Sequence, residues 1–141
     1  MRKNIFWVYT LLACLFTACQ DSSKLVISDL QCEYLDAPLA IDNTTPHFGW
    51  KMTCGQKGTS SSAYQLLVAT ELDKLNEEEA DLWNSGKVSS DTSIGIAYGG
   101  KALTSRTQAY WKVRVWNQAD VPSEWSKPSS FGIGMLSEND W

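Results

Sequence analysis

A chain of 141 residues has the length of one domain. Its composition, 43% hydrophobic and 20% charged with seven tryptophans, excludes intrinsic disorder. The formal charge of −4 excludes a field that would gather nucleic acid, so the aromatic residues are read first as packing.

The chain opens on a basic head, Arg2-Lys3-Asn4, followed by an apolar run from Ile5 to Ala18. A spanning helix needs about 20 apolar residues, so this shorter run reads as a signal peptide over 1–18. Leu15-Phe16-Thr17-Ala18-Cys19 resembles a bacterial lipobox, although Phe16 stands where an aliphatic residue is usual. That resemblance implies cleavage before Cys19, acylation of its thiol and new amino terminus, and a polar tether over 19–24. The other reading is an ordinary secretory leader in which Cys19 is incidental. Gln20 rather than aspartate follows Cys19, so the expectation is an exported, lipid-anchored protein at the outer membrane, on its periplasmic or surface face. Removing the leader takes two positive charges with it and leaves −6.

From Leu25 the pattern is short strands between turns. Leu25 to Leu35 is the first, with Leu30, Cys32 and Tyr34 on one phase. Phe48, Trp50 and Met52 alternate with Gly49 and Lys51, predicting a strand with one buried face. After the polar turn Gly55 to Ser62, Ala63 to Thr70 places Tyr64, Leu66 and Val68 on one side and Gln65, Leu67 and Ala69 on the other. Glu71 to Asp81 carries Glu77, Glu78 and Glu79 without an apolar partner face and reads as a solvated connection. Leu82 to Val88 and Thr92 to Tyr98 are further short strands, and Gly99-Gly100 turns the chain through the positive φ that glycine accepts. The strongest strand is Ala109 to Asn117, in which Trp111, Val113 and Val115 alternate with Tyr110, Lys112, Arg114 and Trp116. A last strand runs from Ser129 to Met135. About seven strands and no helical period predict an all-β, two-layer antiparallel sandwich over 25–136.

Lys112, Arg114 and Trp116 share a strand face, and Trp125 follows a loop, so the cations can stack on the indoles. The four are a stacking surface or, alternatively, a sugar-binding platform.

Six segments carry a family resemblance. Cys32-Glu33-Tyr34-Leu35, Pro38-Leu39-Ala40-Ile41-Asp42, Pro46-His47-Phe48-Gly49-Trp50, Ala63 to Ala69, Asp81 to Val88 and Tyr110 to Asn117 with Trp125-Ser126 resemble, in order, the start of bacterial α-L-rhamnosidases. The resemblance implies an immunoglobulin-like, fibronectin type III-like domain, with 137–141 as the first step toward a following domain. It also implies a parent enzyme that hydrolyses terminal α-L-rhamnosyl residues by inversion, its carboxylates in a later helical barrel. Ala40, His47, Asn117, Asp120 and Ala109 depart from the family pattern. Tyrosine is usual at Ala109, where it ties the corner before the strand. Either Tyr110 takes that place or the corner is weaker, and Ala109→Tyr is then expected to stabilise the fold.

Little chemistry remains. An inverting hydrolase needs paired carboxylates about 6.5–9.5 Å apart, one with a raised pKa; here the carboxylates fall in turns and in the Glu77 to Asp81 run, so no catalytic residue is assigned. His47, the single histidine, starts a strand after Pro46. No metal or cofactor motif is present, and Cys32 and Cys54 are either bridged or separate. The partners implied are the membrane, through the lipid anchor, and the following domains of a parent hydrolase. A free-standing lipoprotein binding carbohydrate or protein through exposed Trp83, Trp116 or Trp125 is the alternative.

Overall fold

The computed structural model describes residues 23–140; the leader, Cys19 and Trp141 lie outside them. Among the described residues eight strands form two antiparallel sheets. The smaller sheet has the order β1-β2-β6, from β1 (Leu25–Cys32), β2 (His47–Cys54) and β6 (Ile96–Ala97). The larger is built on β3 (Ser61–Ala69) and β7 (Gln108–Asn117). The short β4 (Trp83–Asn84) and β5 (Val88–Ser89) pair with β3, and β8 (Ser129–Gly132) pairs with β7. This is the all-β, immunoglobulin-like sandwich expected, with the predicted strand Leu82 to Val88 divided into two short edge pieces.

The inner faces supply one core. Phe48 is its hub, 4.6 Å from the Trp111 ring and 5.6 Å from Phe131 between centroids, with Trp83 and Tyr98 at the rim. Leu66, Val68, Val113 and Val115 close it from the larger sheet. β3 alternates as its sequence does, but both of its faces are covered. Leu67 and Ala69 pack outside with Leu75, Tyr110 and Trp125. Leu75 is therefore the apolar partner that the Glu71 to Asp81 connection was expected to lack. That connection folds as a 3₁₀ turn (Leu72–Lys74) whose following residue is buried against the outer face of the sheet.

Two other expectations are corrected. The first strand stops at Cys32, and a bulge between Ser28 and Gln31, with Asp29 at φ 49°, shifts its phase. Leu25 and Cys32 both point inward as a result, while Tyr34 is exposed. Gly99 and Gly100 do not have positive φ; they are glycines for want of space. A Cβ on Gly100 would stand 2.3 Å from the Leu82 carbonyl oxygen and 2.6 Å from the Tyr98 hydroxyl. Of the two readings left open for Cys32 and Cys54, the structure shows the unbridged one: the β1–β2 register pairs Cys32 with Phe48 and Cys54 with Leu25, at opposite ends of the ladder. Burial pushes the Cys32 thiol up to about 12, with Glu33 adding to the effect, and leaves it an inert apolar filler.

At the start of β7, register sets Ala109 opposite Phe131. Ala109 points into the core at 1% exposure, beside Leu103. Tyr110 lies on the opposite face of the sheet and fills nothing there. Tyr98, after β6, packs its ring edge-on to Phe48 and Trp83, and its hydroxyl donates to the Lys101 carbonyl at 2.7 Å. The Leu82 carbonyl lies at 3.3 Å.

Candidate functional site

The outer face of β7 presents Tyr110, Lys112, Arg114 and Trp116 in alternation. Next to β7 runs the segment that carries Trp125, and two serines fix it there. Ser123 and Ser126 donate backbone N–H groups to the Val115 and Val113 carbonyls, at 2.7 and 2.8 Å. Their hydroxyl oxygens accept the Val115 and Val113 N–H groups at 3.0 and 3.1 Å. The hydroxyls thus stand in for ladder partners, and Trp125 between them is laid over the sheet.

The structure brings Lys112, Arg114, Trp116 and Trp125 together. The Arg114 guanidinium lies between the indoles, its Cζ 5.0 Å from the Trp116 ring centroid and 4.6 Å from that of Trp125. Lys112 Nζ is 5.0 Å from the Trp125 ring. At the other end Lys87, which the sequence pattern did not single out, stands 4.8 Å from Trp116 and pairs with Asp120. The order is Lys87–Trp116–Arg114–Trp125–Lys112, cations alternating with rings.

A hydrogen-bonded layer sits beneath it. Register places Gln65 opposite Arg114, and Gln65 Oε1 accepts from Arg114 Nε and Nη2 at 3.1 and 2.9 Å. Glu77 Oε1 accepts from Arg114 Nη2 at 2.8 Å and from Gln65 Nε2 at 3.0 Å. Asn84 completes the set, accepting from Gln65 Nε2 and donating to the Glu77 carbonyl. Burial pushes the Lys112 ammonium below its ordinary value against the pull of Glu77, and Arg114 adds to the fall. Gln65 and Glu77 were missed because the first reads as one more outward strand residue and the second as one of three glutamates. Ser123 and Ser126 did leave a signal, two hydroxyls three positions apart flanking a tryptophan.

This arrangement locks a strand face; it does not offer one. Trp116 is 8% exposed, and Trp83 and Trp125 are half-buried, Trp83 against the core and Trp125 against the outer cluster of Leu67, Ala69 and Leu75. Each indole in the ladder already carries two cations near its ring.

The carboxylates are held in a similar manner. Burial alone would raise Glu33, but the His47 backbone N–H at 2.6 Å, the His47 ring and the Asn43 amide outweigh it and hold the carboxyl below its ordinary value. Asp81, likewise raised by burial, is held low by the hydroxyl and N–H of Thr70. His47 is thus a partner of Glu33, 3.0 Å from its carboxylate. Among the described residues no cluster of three or more His, Cys, Asp or Glu side chains could hold a metal ion.

Comparison with known proteins gives a consistent set. Residues 27–137 match the family model of the Rha78A-like, N-terminal immunoglobulin domain. An α-L-rhamnosidase of Formosa agariphila is 43% identical over the whole of this chain, which spans 15% of that protein. The crystal structure of Streptomyces avermitilis α-L-rhamnosidase complexed with L-rhamnose superposes with a TM-score of 0.79 at 38% identity, over 83% of this chain and 11% of that one. The α-L-rhamnosidase from Dictyoglumus thermophilum also gives 0.79, at 35% identity over 85% of this chain and 14% of its own.

Proposed function

This chain belongs to the Rha78A-like N-terminal immunoglobulin domain family, and from that premise we propose that it is a non-catalytic accessory domain of an α-L-rhamnosidase-like glycoside hydrolase. The observation that carries the reading is the family match over 27–137 combined with relatives several times longer, of which the chain spans 15 and 16%. The site chemistry supports it. A general acid needs a carboxyl held above its ordinary pKa by apolar walls. The carboxyl shifts resolved here, at Glu33, Asp81 and Asp140, all run downward under hydrogen bonds. The domain's contribution is mechanical: a sandwich whose outer face is fixed by the Lys87-to-Lys112 ladder, set at one end of the chain that would carry the barrel.

The purified chain is expected to release no aglycone from an aryl α-L-rhamnoside above buffer. Turnover that persists in a Glu-to-Gln variant is contamination; turnover lost in such a variant overturns the reading.

The leader reading belongs with this proposal. Cys19 is the acylated residue, 1–18 is removed, 19–24 is the tether, and the domain is held at the outer membrane. Several acyl chains give lasting attachment, at about 0.8 kcal/mol for each buried methylene. Cells fed a radioactive fatty acid should label the wild-type protein and not Cys19→Ser. Equal label in both would remove the anchor from the account.

A further inference from the structure

The smaller sheet carries a feature that neither the ladder nor the accessory role uses. Two depressions adjoin across the β1 bulge, of about 570 and 150 Å³, and they share Asp29, Gln31 and Lys51 as lining residues. The larger runs toward Asp36 and Lys127. The smaller ends between Tyr34 and Ile94, with Gly49 contributing no side chain to its wall.

The way Tyr34 is presented costs the fold something. Cys32 and Leu35 exchange both backbone hydrogen bonds, at 2.9 and 3.0 Å, so Glu33 and Tyr34 are the central residues of a two-residue turn. Both have positive φ, 51° and 63°, the geometry of a type I′ turn that Asn-Gly ordinarily fills. Of the six non-glycine residues with positive φ among those described, Asp29, Glu33, Tyr34 and Ala37 all fall in this segment. The Glu33 carboxylate, gripped by His47 and Asn43, holds the turn, and the Tyr34 ring stands out 70% exposed. Ile94 across the cleft is 64% exposed.

We propose that this double groove across the β1 bulge binds a neutral oligosaccharide. The exposed Tyr34 ring and Ile94 offer an apolar wall for the non-polar face of a pyranose. The Lys51–Asp29 pair at 2.9 Å, where the two depressions meet, keeps more than half of each side chain in solvent, so an ammonium and a carboxylate remain available to hydroxyls. Gln31 adds an amide that both donates and accepts. The charges along the groove cancel, Asp29 and Asp36 against Lys51 and Lys127, which favours an uncharged ligand over a phosphate or an anionic polymer. The site is separate from the Trp116–Trp125 ladder, which lies on the other sheet, and it does not depend on the activity of any parent enzyme.

Backbone-amide NMR of the isotope-labelled chain, titrated separately with xylotriose and methyl α-L-rhamnoside, tests this. Saturable shifts are expected at residues 28–36, 49–51 and 94–95 with at least one sugar, with a Kd on the order of 1 mM. The informative variant is Tyr34→Gly, because glycine accepts the φ of 63° more readily than tyrosine and the turn keeps its shape. It should weaken binding about tenfold or more while the rest of the spectrum stays in place. Three results overturn the proposal: no saturable shift with either sugar, shifts gathered at Trp116 and Trp125, or an unchanged titration in Tyr34→Gly.

Discussion

Ala109 shows how far a residue can be read from its strand. Its inward direction follows from the alternation with Trp111, Val113 and Val115, and the structure places it in the core. Its neighbour across the ladder does not follow from β7 alone, because Phe131 comes from β8. Ala109→Tyr is expected to raise the unfolding free energy by on the order of 1–2 kcal/mol, a buried side chain being added where the family carries one. Tyr98→Phe should cost about 1 kcal/mol through the lost hydrogen bond. Urea midpoints for the two variants decide it: one that stays put or falls in Ala109→Tyr would mean that the corner is already filled, and a rise in Tyr98→Phe would mean that the hydroxyl stabilises nothing. Asn117, unlike the aspartate usual at that position, donates to the Ser23 carbonyl at 3.1 Å while its Oδ1 accepts from the N–H groups of Ala119 and Val121. Glu33 sets a pH dependence. Its folded carboxyl is held below the ordinary 4.5, so its stabilisation is complete above that value and is lost as pH falls through the lower folded one. Glu33→Gln should therefore lose stability less steeply than the wild type below about pH 4.5. Equal slopes would assign the acid limb to other carboxyls, Asp81 and Asp140 first.

Among the elements, β7 was the most legible and β1 the least. In β7 a strict period of two sorts core from surface, and the outer set is already rich in cations and rings. In β1 the period breaks at the bulge: Leu30 and Cys32 share the core-facing phase, but Leu25 and Ile27 reach the core on the other one and Tyr34, past the strand end, is exposed. A bulge leaves no residue-type signature strong enough to override alternation, and Asp29 at φ 49° is its only local hint. The ladder on β7 makes a graded prediction. Arg114→Ala removes two ring contacts and leaves buried Gln65 without its guanidinium partner, so it should cost about 2–3 kcal/mol. Lys87→Ala removes a single ring contact and an exposed ion pair, for about 1 kcal/mol or less. Denaturant unfolding should preserve that order. The reverse order would show that the end of the ladder, not its centre, holds the face.

For the whole molecule, the sandwich and its family were legible because strand patterning and the six ordered segments point the same way. The groove on the smaller sheet was not, since it gathers residues from β1, β2, the start of β8 and three loops that no spacing connects. The absence of an assigned catalytic residue rests on types and environments: scattered carboxylates, most of them engaged by a neighbouring cation, amide or hydroxyl. A non-catalytic accessory domain, as proposed, should replace its counterpart in a relative without loss of turnover. The most direct measurement is kcat/KM on an aryl α-L-rhamnoside for the Formosa agariphila relative with the region matching 27–137 replaced by this chain's. The account predicts a soluble chimera whose kcat/KM lies within about threefold of the parent's, about 0.6 kcal/mol in transition-state terms. A folded chimera with kcat/KM lowered a hundredfold or more, about 2.7 kcal/mol, would place part of the reaction's machinery in this domain and contradict it.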